Sequence, residues 1–580
     1  MIEINRPQDG INAGQSASPP GLPYTSRMPE AQDTVPRTGG AEARAREPLR
    51  SLARALFDRV DTYFDAAFGA RANPWRLLGA LAWYLFWIVA ATGIYVYAAF
   101  DTSAAGAYPS VERITANAWP LSGLARSLHR YASDAFILLT ALHLAREWAH
   151  RRYAHVQRFA WLTGVALLLF VWLSGIGGYW LVWDRLAQFS IIATTEWLDA
   201  LPLFSEPLAA NFDADARIGD RFFSLLIFLH IGIPLGTLAL MWVHVQRLQR
   251  PATQPPRVLA WGTLTALVLL SIARPVTSDA PASLAEVPTN LALDWFYLAP
   301  HVIQYAWSPL ALWSIVGVAT TVLVLLPYLS RAAREPRRAA AVVQLANCNG
   351  CRRCFADCPY NAVEMVARTD GRPHPFQASV RADLCAGCGI CAGACPSSTP
   401  FRSVAELVTG IDLPQKPIGA ARATLERELA RIVASRRAAA TSSPRILVVG
   451  CDESIDVVAL RSPDTAAMTL LCAAQLPPSF VEYALRSGAD GVLVTGCREG
   501  DCVWRLGQEW TADRFAGERA PKLRAAVARE RVRIAWAGRQ DAERLAATLD
   551  AFRADLGSLP ADARATLVPP KREQRLDASA

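Results

Sequence analysis

Residues 127–148, SLHRYASDAFILLTALHLAREW, set two histidines, His129 and His143, fourteen residues apart in an otherwise apolar run. Polar side chains inside a membrane helix are expensive and tend to be functional. A second run, FLHIGIPLGTLALMWVH from Phe228 to His244, repeats the spacing with His230 and His244. Fourteen residues are nearly four helical turns, so each pair lies on one face with roughly 21 Å between its members. Two such helices facing each other carry two levels, His129 with His230 and His143 with His244. Each level offers the two axial imidazoles that a six-coordinate haem iron takes. Hydrogen bonding between helices would account for one such pair. Two pairs of identical spacing point to two b haems.

Glycines repeat the pattern. Gly79 and Gly93, and Gly164 and Gly178, are also fourteen apart. A missing side chain at those heights lets a flat macrocycle approach the backbone. Arg126 and Arg130, flanking His129, are candidate partners for haem propionates.

Around these runs lie six apolar stretches, 77–100, 127–149, 158–183, 222–246, 258–273 and 308–329. Most reach the about 20 residues needed to cross a bilayer; the fifth is short. The connections alternate in charge. Arg146, Arg151, Arg152 and Arg158 follow the second stretch, whereas 184–221 holds seven acids against three arginines. Arg247, Arg250 and Arg257 follow the fourth, Asp279, Glu286 and Asp294 follow the fifth, and Arg331, Arg334, Arg337 and Arg338 follow the sixth. Basic loops stay cytoplasmic, so both ends of the chain are expected there, in the inner membrane of a bacterium. A hydrophobic content of 52% and 18 tryptophans fit a membrane protein, and the net charge of +8 reads as topology rather than nucleic-acid binding. Residues 1–50, rich in Gly, Pro, Ser, Ala and Arg, are expected to be a disordered tail.

RSLHRYAS, GYWLVWD and RFFSLLIFLHIGIP, all between Trp75 and Arg250, resemble the cytochrome b core of quinol-oxidising bc and b6f complexes. The resemblance continues in NLALDWFYLAPHVIQY, which is similar to that family's Pro-Glu-Trp-Tyr segment at an outer quinol site. Asp294 stands there for the glutamate and Leu293 for the proline. The resemblance implies a quinone pocket at the outer face, Asp294 as candidate proton acceptor, and a homodimer.

The first eight of twelve cysteines form CNGCRRCFADCP, residues 348–359, and CAGCGICAGACP, residues 385–396. Both are the two-cluster ferredoxin pattern, in which the fourth cysteine of each run ligates the other cluster. Cys348, Cys351, Cys354 and Cys395 are thus expected to hold one [4Fe–4S] cluster, and Cys385, Cys388, Cys391 and Cys358 a second. Zinc and disulfides are disfavoured by the spacing and the cytoplasmic setting.

Cys451, Cys472, Cys497 and Cys502 punctuate an α/β pattern, in which Cys451 and Cys497 each follow a glycine at a strand end. LLCAAQLPPSFVEYALRSGADGVLVTGC and GCREGDCVWRLGQEWTADRF resemble the delta subunit of methyl-viologen-reducing hydrogenases. That resemblance implies one [2Fe–2S] cluster on these four cysteines and a partner similar to heterodisulfide reductase or another flavin-containing iron–sulfur protein. GCDESIDVVAL keeps only Cys451 of the family's first motif.

The expected fold is multi-domain. An all-α six-helix transmembrane haem bundle (51–333) precedes an α+β two-cluster ferredoxin domain (340–402). A linker helix (403–443), a C-terminal α/β iron–sulfur domain (444–555) and a disordered tail (556–580) follow. The expected function is electron relay between the quinone pool and a cytoplasmic partner, with the terminal cluster last. A bifurcating quinol oxidase core and a haem and iron–sulfur sensor without turnover are the alternatives.

Overall fold

The computed structural model describes residues 47–116, 120–203, 205–212, 218–288, 290–439 and 443–560. Most of the two expected disordered tails lies outside the described residues. At their inner ends the chain is helical, from Pro48 and up to Ser558.

The N-terminal region is helical. Helix α1 (Pro48–Phe68) exposes Leu56 and Tyr63 on one side and buries Phe57 and Asp61 on the other. There follow α2 (Leu78–Ala99), α3 (Ala107–Ala116), α4 (Pro120–Ala149), α5 (Arg158–Trp180), α6 (Arg185–Asp199), α7 (Asp220–Val245), α8 (Arg257–Ala273), α9 (Ala299–Ala306) and α10 (Pro309–Leu329). Helices α2, α5, α7 and α10 are long and apolar enough to cross a membrane; α8 is shorter. Helix α4 begins seven residues before the expected stretch, because Ser122, Gly123 and Arg126 interrupt the apolar run ahead of Ser127. Helix α2 packs along α4, and α5 along α7. Leu85, Phe86, Ala132, Phe136, Leu167, Val171 and Met241 fill the space among these four helices.

Beyond α10 the chain is mixed strand and helix. Strand β1 (Val342–Val343) pairs antiparallel with β4 (Ile411–Asp412), and β2 (Val363–Ala367) with β3 (Phe376–Val380). Two one-turn helices, α11 (Arg353–Asp357) and α12 (Ile390–Ala394), stand inside the two cysteine runs. Strands β5 (Ile446–Cys451), β6 (Thr465–Leu470), β7 (Gly491–Gly496) and β8 (Val532–Trp536) form a parallel sheet in the order β6-β5-β7-β8. Such sheets bury both faces, which is why the strands read as unbroken apolar runs. One face carries α13 (Ile418–Ala439) and α14 (Pro478–Arg486); the other carries α16 (Ala542–Ser558). Helix α15 (Gly507–Ala516) follows the last two cysteines. The segment expected as a linker therefore does more than connect: Leu425, Leu429 and Ile432 of α13 lie in the sheet's core.

Candidate redox-cofactor sites

Each of the four histidines lies against the glycine whose height it shares. A Cβ added to Gly93 would stand 2.9 Å from His129 Cε1, and one on Gly79 3.3 Å from His143 Cε1. On the opposite pair of helices, a Cβ on Gly178 would stand 3.1 Å from His230 Cε1, and one on Gly164 3.6 Å from His244 Cε1. Thus α2 makes room for the rings of α4, and α5 for those of α7. The His129 and His230 rings face each other with centroids 6.3 Å apart and planes at 69°. Two metal–imidazole bonds of about 2 Å, plus the half-ring behind each donor nitrogen, span a gap of this size.

The rings are oriented from behind. His129 Nδ1 lies 3.0 Å from the Val89 carbonyl and His230 Nδ1 3.1 Å from the Ser174 carbonyl. Carbonyls only accept, so each Nδ1 carries the proton and leaves Nε2 free as a ligand. Thr163 Oγ1 donates to the Phe159 carbonyl at 2.9 Å and stands 2.7 Å from His244 Nδ1, which fixes that ring in the same sense. The His129/His230 level thus fits a haem, and the His143/His244 level repeats its glycine–histidine arrangement.

The two flanking arginines have protein partners. Arg126 donates to Ser278 Oγ at 2.8 Å and also bonds Thr115, with Glu112 3.6 Å away. Arg130 meets Asp294 at 2.7 Å and Asp134 at 3.2 Å, and its guanidinium lies 4.3 Å above the Tyr179 ring. Asp294 is more constrained than its sequence position suggests. Its Oδ1 accepts from the backbone N–H groups of Phe296 and Tyr297 at 2.9 and 2.7 Å, and its Oδ2 takes Arg130. Asp134, which sequence reasoning passed over, keeps its Oδ1 buried without a hydrogen bond. Its place one turn after Arg130 was the available signal.

The ferredoxin cysteines gather as their spacing requires. Cys348, Cys351, Cys354 and Cys395 line one cavity with Met365 and Ala378. Burial, then Cys395, Cys351 and Cys348, push the Cys354 thiol up to about 12. Thiols crowded in this way become thiolates only against a cation, which suits iron. Cys358, Cys385, Cys388 and Cys391 form the second set, each within electrostatic reach of others. Backbone N–H groups of Ala341 and Ala362 point at the sulfurs of Cys385 and Cys358, at 3.4 and 3.2 Å.

The C-terminal four also converge. Cys451 stands beside Cys497, and Cys472 beside Cys502. Gly507 leaves them room: a Cβ there would collide with Cys472 Sγ and stand 3.2 Å from Cys502 Sγ. Three of the four are buried, and the donor set suits an iron–sulfur cluster.

His150, just past α4, has a side chain only 4% exposed. Its Nε2 lies 3.4 Å from Asp58 and 3.8 Å from Asp501.

A helical region with paired histidines and membrane-length helices, followed by strand-and-helix cysteine sites, defines a membrane electron-transfer subunit. Comparison with known families agrees segment by segment. Residues 65–251 match the family model for cytochrome b/b6/petB. Residues 347–399 match that for the 4Fe-4S dicluster domain. Residues 450–559 match that for the methyl-viologen-reducing hydrogenase delta subunit. The first match implies haem and the second iron–sulfur clusters. Among solved structures, a chain of a hyperthermophilic respiratory Complex III is similar at 20% identity with a TM-score of 0.37, covering 44% of this chain and 75% of that one.

Proposed function

We propose that the protein relays single electrons between the quinone pool of a bacterial inner membrane and a cytoplasmic redox partner. In this reading residues 51–333 form a six-helix transmembrane bundle with both chain ends cytoplasmic, and two copies of the chain pair as a homodimer. His129 and His230 hold an outer b haem, and His143 and His244 an inner one. Residues 340–402 hold two [4Fe–4S] clusters on the cysteine sets given above, and residues 444–555 a [2Fe–2S] cluster on Cys451, Cys472, Cys497 and Cys502. The partner resembles heterodisulfide reductase or another flavin-containing iron–sulfur protein.

The observation that carries this reading is the one-to-one match of four glycines to four histidines at two heights. Each glycine lets one imidazole lie against the neighbouring helix, and the same arrangement at two heights is what two haem levels need, whereas interhelical packing alone favours a small residue against a small residue.

When bound, the haems and clusters supply reversible one-electron exchange. The chain's own residues do the rest. Nδ1 bonds to Val89 and Ser174 carbonyls hold two imidazoles in the ligating tautomer. At the outer face, Asp294 and Asp134 share Arg130, and we assign this triad to the quinone site. A quinol hydroxyl must lose its proton as the electron leaves, and a positioned carboxylate takes it. Asp294, with both oxygens engaged, orients Arg130, and Asp134 Oδ1, which has no hydrogen-bond partner, takes the proton. Direction follows the potentials of the partners, and transfer inward against about 100 mV would cost about 2.3 kcal/mol per charge.

The test is anaerobic addition of quinol to the purified protein while haem absorbance is followed, beside Asp294→Asn and Asp134→Asn. Haem reduction slowed in both variants supports the reading. Haems that stay oxidised with quinol, while a cytoplasmic reductant fills them, would remove the outer site from it.

A further inference from the structure

The loop between the third and fourth C-terminal cysteines does not face away from the membrane region. Asp501, next to Cys502, pairs with Arg152 and lies 3.5 Å from Arg146. Arg146 is on α4, three residues beyond His143. Arg498, next to Cys497, donates to the Asp58 carbonyl at 3.3 Å and to Thr62 Oγ1 at 3.0 Å, both on α1. Arg76, just before α2, bonds the Glu499 carbonyl. Arg505 donates to the Gln249 carbonyl, just past α7, and to the Pro359 carbonyl, beside Cys358, at 3.1 Å each. The segment from Arg498 to Arg505 thus meets the ends of α4 and α7 and the ferredoxin region, and the latter also meets α7's end directly, where Gln249 donates to the Pro359 and Ala356 carbonyls at 3.0 Å each.

The other side of the same site meets the second ferredoxin set. Cys388 and Ile390 pack with Cys472, Leu506 and Trp510 in one buried cluster. Tyr360 is within electrostatic reach of Cys388, Cys502 and Arg152 together. Asp357, adjacent to Cys358, is bolted to α15 by Arg514 at 2.5 Å, both side chains almost wholly buried, and accepts Trp510 Nε1 on its carbonyl at 3.1 Å. Gly393 leaves no room for a Cβ against the Ala474 carbonyl. The Cys348, Cys351, Cys354 and Cys395 set has a different outlook: Cys351 is exposed, and so are Arg352 and Arg372 nearby.

We propose that the Cys451/Cys472/Cys497/Cys502 site is an internal junction, seated between the His143/His244 level and the Cys358/Cys385/Cys388/Cys391 site. The Cys348/Cys351/Cys354/Cys395 site, not the C-terminal domain, then presents the outward electron-exchange face. Its exposed arginines fit an acidic redox protein. The order of sites in space thus departs from their order along the chain, where the C-terminal site comes last. Each exchange moves one electron between neighbouring sites, one losing what the next gains, with no bond made and no proton released. The inference rests on the relay reading above.

Electron paramagnetic resonance on the full-length protein tests it. The C-terminal signal, assigned by its loss in Cys472→Ala, should relax faster when the inner haem is oxidised than when it is reduced. It should also split when the second ferredoxin site is reduced. A haem-dependent ferredoxin signal beside an insensitive C-terminal one would overturn the junction. In Cys502→Ala, both [4Fe–4S] signals should remain reducible by dithionite while electron exchange between haems and ferredoxin is lost; exchange that persists would also overturn it. Absence of every cluster signal in the wild type would sink the relay reading itself, and the junction with it.

Discussion

The histidine levels and the C-terminal cysteine site each gather metal-ligating side chains in a buried place, and they use the chain in opposite ways. Along α4 and α7 the helix itself is the ruler, with ligands fourteen residues apart and glycines on the neighbouring helices at the same interval. In the C-terminal domain no interval repeats. Cys451 ends β5, Cys472 and Cys497 follow β6 and β7, and Cys502 comes from a loop held by the membrane region. Parallel strands bring their carboxyl ends to one edge, where ligands collect. A periodic site is built from one dimension, whereas an edge site exists only once the sheet has formed.

That difference can be pressed hardest in the ferredoxin region, where both kinds of coding meet. Cys391→Ala should cost about four iron atoms per chain and unfold residues around α12, because Cys391 is buried with Ile390 and Ala392. Iron quantitation checks it; full iron content would contradict the assignment. Next in size is Gly93→Val, whose Cβ would meet His129 Cε1 at 2.9 Å. It should remove the outer haem and about half of the b-type absorbance while sparing the inner haem. Gly317→Ala, with nothing within 4 Å of its added Cβ, should leave the spectrum unchanged. Equal loss in both would show that glycines matter here only as packing.

Arg152→Gln should act on the seam and not on either ligand set. It strips Asp501 of a charged partner and should lower stability by about 2 kcal/mol, read in denaturant, with haem content kept. The smallest expected effect is on pH. Burial raises the Asp412 carboxyl to about 6, even though it accepts the backbone N–H groups of Leu413 and Ile418. Its folded value exceeds its unfolded one, so its contribution is present below the ordinary carboxylate value of about 4 and declines as pH rises through about 6. Asp412→Asn should flatten that shallow decline in a melting-temperature series; an unchanged slope would assign it to other groups.

Much of the site was legible because its chemistry is periodic or locally spaced. His129, His143, His230, His244 and the eight ferredoxin cysteines declare themselves by interval, and the structure brings them together as those intervals require. Helix α1 was missed because its apolar face, with Leu56 and Tyr63, is too sparse to read as a span. Helix α13 hides Leu425, Leu429 and Ile432 among arginines and glutamates, so its role in the sheet's core needed the strands beneath it. The burial of His150 and the Asp501 pairing join residues hundreds of positions apart, and no local pattern encodes them. Asp134 had a signal, its place one turn from Arg130, but that pairing reads equally as a solvated ion pair until Asp294 arrives from a distant segment of the chain.

The central claim is that membrane and cytoplasmic sites form one conductor. The most direct measurement is to reduce the full-length protein completely, add oxidised quinone anaerobically, and follow haem absorbance and cluster resonance in the same sample. The account predicts that the cluster signals discharge together with the haems, and fail to do so once the haems are lost. Haems that reoxidise while the cluster signals stay at full strength would contradict it.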